Sequence, residues 1–176
     1  LGFGFVEVGT ITPKRQLGNP KPRIFRLEKD EALINRLGFN NHGSEIVAQR
    51  ISENKPNGIL GINIGPNHET KDKSQDFYIC LSKIYSYADY ITINISSPNT
   101  EGLRDFHEEN SMIKLLEGLD KLKKDKNIDK PLAIKLSPDI NEKEISYIIE
   151  IINKYKIDGI IISNSTNQHR EKLLDS

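Results

Sequence analysis

The stretch I-N-I-S-S-P-N-T, residues 93–100, breaks its own pattern. Residues 88–95 read as a short buried strand, yet Asn94 sits inside the apolar run, and Ser96, Ser97, Pro98, Asn99 and Thr100 follow it closely. A buried polar side chain costs free energy unless it is hydrogen-bonded. An amide, two hydroxyls and a proline at the mouth of a core strand therefore need a reason, and the same arrangement recurs along the chain. Four further runs, residues 3–11, 59–64, 132–136 and 159–162, are rich in Ile and Val. Several lack the strict alternation of a one-sided sheet, which is the pattern of parallel strands covered on both faces.

The segments between the runs carry helical spacing. Ser44 is placed to cap a helix over 45–53. Residues 74–88 hold Phe77, Ile79, Cys80, Ile84 and Tyr87 at roughly helical spacing, and Met112, Leu115, Leu116, Leu119 and Leu122 form a stripe. Asn141 and Glu144 match a capping box ahead of a helix over 145–155. Successive runs separated by a helix predict βα units and an α/β fold. Residues 12–43 depart from this rhythm: T-P-K-R-Q-L-G-N-P-K-P-R predicts an ordered excursion or loop, followed by a short strand in R-I-F-R-L.

Composition narrows the partners. The 176 residues hold 25 Lys plus Arg against 25 Asp plus Glu, so no net charge draws the chain toward nucleic acid or anionic lipid. The single Cys80 leaves no internal disulfide to form and favours a reducing compartment. No apolar run approaches the roughly 18–20 residues of a membrane-spanning helix, and no charged leader with a small-residue cleavage site precedes the first run. His42, His68, His107 and His169 show no metal-ligand spacing and are expected mostly on the surface.

The polar residues collect at the carboxyl ends of the runs. Thr10 ends the first and Asn63 the second; Asn94, Ser97 and Asn99 end the third. Lys135 lies in the fourth, and Ser163, Asn164 and Ser165 close the fifth. Parallel α/β folds bind ligands at that edge of the sheet. The chain therefore breaks at Ser96 where the strand emerges into a pocket lined by amides, hydroxyls and one lysine. A lysine in a core strand is costly to bury unpaired, so Lys135 is expected to meet an anion.

Five segments carry a resemblance in register along the chain: N-R-L-G-F-N-N-H-G (35–43), G-I-N-I-G-P-N (61–67), I-N-I-S-S-P-N-T-E-G-L-R (93–104), A-I-K-L-S-P-D (133–139) and D-G-I-I-I-S-N (158–164). With the G-T-I-T-P opening they resemble dihydroorotate dehydrogenase of the membrane-associated, quinone-reducing class. The resemblance implies an FMN-containing (β/α)8 TIM barrel that oxidises dihydroorotate to orotate in pyrimidine biosynthesis and passes the electrons to a quinone. Residues 1–176 would form about five of its eight βα units, roughly strands two to six, with the excursion at 12–43. By the resemblance Ser97 is the general base, taking a proton from substrate C5 while hydride leaves C6 for flavin N5. Serine is a poor base in water and needs its own proton relayed onward. The cytosolic class usually has cysteine there.

The resemblance further assigns Asn35, Arg36, Leu37, Gly38, Phe39, Asn94, Asn99, Asn164 and Ser165 to substrate. It assigns Thr10, Asn63, Asn94, Lys135 and Ser163 to FMN, with the lysine near the N1/O2 edge, where a cation favours the anionic reduced ring. The family usually has Thr-Asn-Thr where this chain has Ser163-Asn164-Ser165, a change that keeps both hydroxyls. The segment 101–110 reads equally as the family's mobile lid or as an ordinary βα loop. No metal and no nucleic acid are implied. The membrane surface, expected to be the cytoplasmic face of a bacterial inner membrane, would be met through a segment absent here, and the glycine-rich phosphate loops would follow residue 176. These residues by themselves are accordingly expected to hold FMN weakly or not at all. Two other readings use the same residues: a flavin barrel acting on another pyrimidine, such as a dihydropyrimidine dehydrogenase domain, or a non-catalytic remnant serving as a binding module.

Overall fold

The computed structural model describes residues 2–54 and 56–175. Five parallel strands form one sheet in the order β1-β4-β5-β6-β7: β1 (Phe5–Ile11), β4 (Ile59–Ile64), β5 (Tyr90–Asn94), β6 (Leu132–Leu136) and β7 (Gly159–Ile162). Between β1 and β4 a two-stranded antiparallel hairpin, β2 (Ile24–Leu27) and β3 (Ala32–Asn35), forms a sheet of its own. The short strand expected in R-I-F-R-L is β2; its partner β3 was not anticipated.

Four helices follow the parallel strands or the excursion: α1 (Ser44–Glu53), α2 (Lys73–Ile84), α3 (Glu109–Asp125) and α4 (Glu142–Lys154). They cover one face of the sheet. Ile62, Ile64, Ile91, Ile93, Ile134 and Leu136 from the strands meet Phe77, Leu81, Ile84, Met112, Leu115, Leu116, Ile148 and Ile152 from the helices in a single buried cluster. Burying Leu or Ile side chains of this kind stabilises by about 1.5–3 kcal/mol each. The α3 stripe faces this core as expected, with Leu122 at its half-buried margin. On α2, Ile79 is exposed because it lies two residues after Phe77, on the far side of the helix, whereas Leu81 at i+4 shares the buried face; the helix ends at Ile84, and a single 3-10 turn, Tyr85–Tyr87, completes the segment read as one helix.

Local starts follow capping chemistry with one correction. Asn141 accepts from the backbone N–H of Lys143 and Glu144 at 3.0 Å, and the Glu144 carboxylate reaches back to Asn141 N–H, completing the expected capping box. Ser44, expected as a cap, is instead the first helical residue: Gly43 precedes it at φ 86, and Asn41 Oδ1 accepts the Gly43 N–H at 2.8 Å. The excursion returns through that asparagine, whose Nδ2 also donates to Thr12 Oγ1, so the helix entry is built from side chains of the loop.

The reading of strands covered on both faces holds for β4 and β5, which are buried from Leu60 to Ile64 and from Ile91 to Asn94. Strands β1 and β7 have one neighbour each and stay half exposed, with Phe5, Val6, Ile160 and Ile162 reaching solvent. Gly61 is required by packing on the face away from the helices, where a methyl group there would overlap the Tyr90 ring. Gly61→Ala should therefore lower stability by about 1–3 kcal/mol through overpacking, measured by thermal unfolding.

Candidate active site

The face of the sheet opposite the helices is polar, and its residues lie side by side in the strand register: Glu7 beside Gly61, Asn63 beside Thr92, Asn94 beside Lys135. Hydrogen bonds link them. Asn63 Nδ2 donates to Glu7 Oε1 at 2.9 Å, and Thr10 Oγ1 donates to Asn63 Oδ1 at 2.8 Å. Asn94 Nδ2 donates to Thr10 Oγ1 at 2.9 Å, and Ser96 Oγ donates to Asn94 Oδ1 at 2.7 Å. Asn164 Nδ2 then donates to Ser96 Oγ at 3.0 Å. The sequence expectation placed Thr10, Asn63, Asn94 and Asn164 at one edge, and the structure joins them into one chain of contacts. Thr92 and Tyr90, not singled out from the sequence, donate to Glu7 Oε2 at 2.7 and 3.1 Å.

Ser97 lies just past β5 and is 3% exposed. Its Oγ accepts the Asn99 N–H at 3.2 Å. That contact is a serine turn, and it also favours negative charge on the oxygen by supplying a donor to it. Asn99 Nδ2 reaches the Asn35 carbonyl oxygen at 3.4 Å, which brings the end of the hairpin beside the Ser97 loop. Within 35–39 the backbone is set by Gly38 at φ 72 and Phe39 at φ 52, and the Phe39 ring packs near Gly65. The Leu37 carbonyl accepts the Asn19 N–H at 3.0 Å. Arg36 is exposed and turns away: its Nε and Nη2 donate to the Pro22 carbonyl at 3.1 and 2.9 Å, and its guanidinium lies 5.5 Å from the Phe25 ring centre. The hairpin occupies this side chain, and the nearby carbonyls are engaged as well, Arg36 by Asn19, Gly38 by Gln16 and Phe39 by Asn41.

Lys135 is half-buried on β6 and makes no ion pair with a described residue. The anion expected for it does not come from the described chain. Ser163 Oγ donates to the Asn164 carbonyl at 3.1 Å, and Ser165 N–H donates to Asn164 Oδ1 at 2.7 Å, so both serines border the amide that closes the chain of contacts.

The segment after Ser97 differs from a free lid. Leu103 is fully buried, and Phe106 stacks edge-on against Phe77 with ring centres 5.7 Å apart. Arg104 donates from Nε to the Ser96 carbonyl at 3.3 Å and from Nη1 to Asp139 Oδ2 at 2.9 Å; its Nη2 is buried without a partner among the described residues. Asp139 also receives Thr166 Oγ1 and, at 3.0 Å, the Asn167 N–H. Burial acts to raise the Asp139 carboxyl, but the Thr166, Asn167 and Arg104 donors outweigh it and hold it below its usual value. One carboxylate thus ties together the loops after β5, β6 and β7.

His107 corrects the expectation of surface histidines. The other three are exposed, but His107 is buried, with Nδ1 2.9 Å from the Arg104 carbonyl and Nε2 accepting the Ser137 N–H at 3.3 Å. Accepting at Nε2 requires the neutral ring with the proton on Nδ1. Burial lowers its proton affinity further, only partly offset by the Arg104 carbonyl. Among the described residues no cluster of His, Cys, Asp or Glu could hold a metal ion.

Residues 1–175 match the family model described as dihydroorotate dehydrogenase. The chain belongs to the dihydroorotate dehydrogenase family. Curated relatives named dihydroorotate dehydrogenase (quinone) include those of Bartonella tribocorum, 48% identical over 170 residues, and Acinetobacter baylyi, 47% identical over 172. Each alignment covers 94% of this chain, and 47% and 52% of the respective relative. A crystal structure of the Eimeria tenella enzyme in complex with ferulenol superposes with a TM-score of 0.91 at 36% identity, covering 99% of this chain and 53% of that one. The chain thus spans about half the length of the relatives it matches, and its five parallel strands are part of the barrel expected from its sequence.

The His107 environment carries a pH dependence with a definite sign. An unfolded chain binds a proton near pH 6.5, whereas folded His107 resists it, so stability is complete above that pH and declines as pH falls below it. His107→Gln should flatten this part of the profile, measured by chemical denaturation between about pH 5 and 7.5.

Proposed function

We propose that the protein to which these residues belong oxidises dihydroorotate to orotate, with FMN as its flavin and a quinone as the final electron acceptor. The observation that carries the proposal is a buried serine at the mouth of β5, set among strand-end amides beside a lysine that pairs with no described residue. That donor set fits the group. Each asparagine amide has two donor hydrogens and a carbonyl with two lone pairs, so Asn63 and Asn94 keep hydrogen-bonding capacity beyond the contacts described. The Lys135 ammonium would hold the N1/O2 edge of FMN, where negative charge develops on reduction. Thr10, Asn63, Asn94 and Ser163 would hold its polar edges. Bound FMN supplies the acceptor for the hydride that leaves C6 of the substrate.

The chain's own residues supply the remainder. Asn35, Asn94, Asn99 and Asn164 can meet the imide and carboxylate of dihydroorotate with donors and acceptors and no net charge. The backbone of 35–39 and Ser165 complete that set. Ser97 removes the C5 proton while its own hydroxyl proton passes onward toward solvent. The Asn99 N–H on Ser97 Oγ stabilises the charge that gathers there. The anchored 101–107 segment keeps Ser97 in place and excludes bulk water, which strengthens each of these contacts.

Relatives named dihydroorotate dehydrogenase (quinone) and a serine in the base position support a quinone acceptor, which would be met at a membrane surface. No described helix is long and apolar enough to cross a membrane. In the isolated 176 residues the edges of β1 and β7 lack outer neighbours, and FMN should be held weakly or not at all.

In the full-length parent, Ser97→Ala should slow flavin bleaching by anaerobic dihydroorotate by about 10²-fold or more with FMN still bound, the usual scale of a lost general base. Near-normal bleaching would remove Ser97 from that role. Lys135→Ala should instead weaken FMN retention or slow its reduction, followed by gel filtration and flavin absorbance.

A further inference from the structure

We propose that His107 is a positioning residue whose neutral ring closes a circuit of hydrogen bonds behind Ser97, and that protonating the ring opens the circuit and slows proton removal from the substrate. The inference rests on the reading of Ser97 as the base. Four residues form the circuit. Ser137 N–H donates to His107 Nε2 at 3.3 Å, and Asp139 N–H donates to Ser137 Oγ at 3.1 Å. Arg104 Nη1 donates to Asp139 Oδ2 at 2.9 Å, and the Arg104 carbonyl lies 2.9 Å from His107 Nδ1. The 3-10 turn Arg104–His107 is thereby fastened to the segment after β6 at both its first and its last residue.

Arg104 is the member that touches the base segment, through Nε on the Ser96 carbonyl at 3.3 Å. Asn94 fixes the Ser96 N–H and hydroxyl, which precede that carbonyl in the chain, and the Asn99 N–H meets Ser97 Oγ beyond it. The peptide that leads into Ser97 is held at its carbonyl by Arg104, so a shift of the guanidinium turns the Ser97 side chain. Asp139 grips only the far end of Arg104; His107 grips its backbone.

The circuit needs a ring without charge. A backbone N–H can only donate, so the Nε2 that faces Ser137 must carry a lone pair. Protonation sets two donors against each other in a site where His107 is 4% exposed and water has little access to replace the lost acceptor. Burial is the largest influence on the ring and opposes its protonation, as does the Arg104 charge, while the Arg104 carbonyl and Glu144 on α4 favour it. Glu108 and Glu109 at the start of α3 act on the neighbouring Tyr147 of α4, whose hydroxyl donates to the His107 carbonyl at 2.7 Å. Asp139 beyond β6 is taken up by Arg104, Thr166 and Asn167. Opening is therefore confined to the acid side of about pH 6.5, the ordinary imidazole value.

The experiment uses the full-length, FMN-loaded parent in anaerobic stopped flow, reading flavin bleaching at saturating dihydroorotate from about pH 4.5 to 7.5. Bleaching by wild type and its loss in Ser97→Ala come first; failure of either overturns the base assignment, and this inference with it, whatever His107 does. Glutamine carries an acceptor and a donor on neighbouring atoms and does not titrate, so His107→Gln keeps the circuit closed at every pH. The ratio of its rate to that of wild type cancels the titration of the base itself. That ratio should be about one at pH 7.5 and rise about threefold or more by pH 4.5, with flavin still bound. His107→Ala leaves the circuit open and should bleach about tenfold more slowly than His107→Gln at every pH. A glutamine-to-wild-type ratio that stays within about 1.5-fold across the range overturns the inference. An acid loss of rate in wild type matched by loss of bound flavin overturns it too, since that marks unfolding. Should His107→Ala not fold, the glutamine ratio decides alone.

Discussion

A strand buried on both faces must satisfy every polar side chain it carries, and Asn94 in β5 is where this structure meets that requirement. Its amide donates to Thr10 on β1 and accepts from Ser96 beyond its own strand. The Thr10 contact needs β1 and β5 to flank β4 in register, with Asn63 between them. An unsatisfied amide in such a place costs about 1–3 kcal/mol. Strand order, strand register and the placement of the pocket are thus three consequences of one constraint. The apolar face would tolerate several alternative packings of Ile and Leu; the polar face tolerates few.

The two faces divide the work. Helices α2, α3 and α4 seal the apolar side with close contacts, including Tyr78 lying where a side chain at Gly118 would sit, its hydroxyl within 3.3 Å of the Lys114 and Leu115 carbonyls. Cys80 belongs to that side: burial pushes its thiol well above the ordinary range, which makes it an inert filler. On the polar side the carboxyl ends of the strands open into loops that are tied to one another. Arg104, Asp139 and Thr166 join three of them, and Asn67 joins the excursion to β4 by donating to Thr12 Oγ1 and the Lys14 carbonyl while accepting Lys14 N–H. Loops tied in this way would suit the base role proposed for Ser97, since a serine's weak intrinsic basicity leaves little margin for misplacement.

Charge follows the same division. Lys135 and Glu7 stand on one polar face without forming an ion pair with each other, and each has a separate use. The lysine remains free for a ligand's negative charge. The glutamate, tied to Asn63, Thr92 and Tyr90, is spent on internal order.

Much of this was legible in the residues. The five strands could be placed because runs of Ile and Val stop abruptly at Asn, Ser and Lys, and the α3 and α4 faces because their apolar spacing matches a helical turn. Lys135 stands out as a charge within an apolar strand, and Glu7 in F-V-E-V carries the same signal. Other features had no local sign. The β2–β3 pairing depends on contacts between two short four-residue segments, and the burial of His107 depends on Ser137, thirty positions away in the chain. The tie between Arg104 and Asp139 likewise joins residues 35 positions apart. The sequence by itself determined the strand-and-helix order, the apolar core and the residue types at the strand ends, because periodicity and polarity are local properties. Tertiary structure alone decided which amide faces which hydroxyl, because hydrogen-bond direction is set by partners that the fold brings together from distant positions.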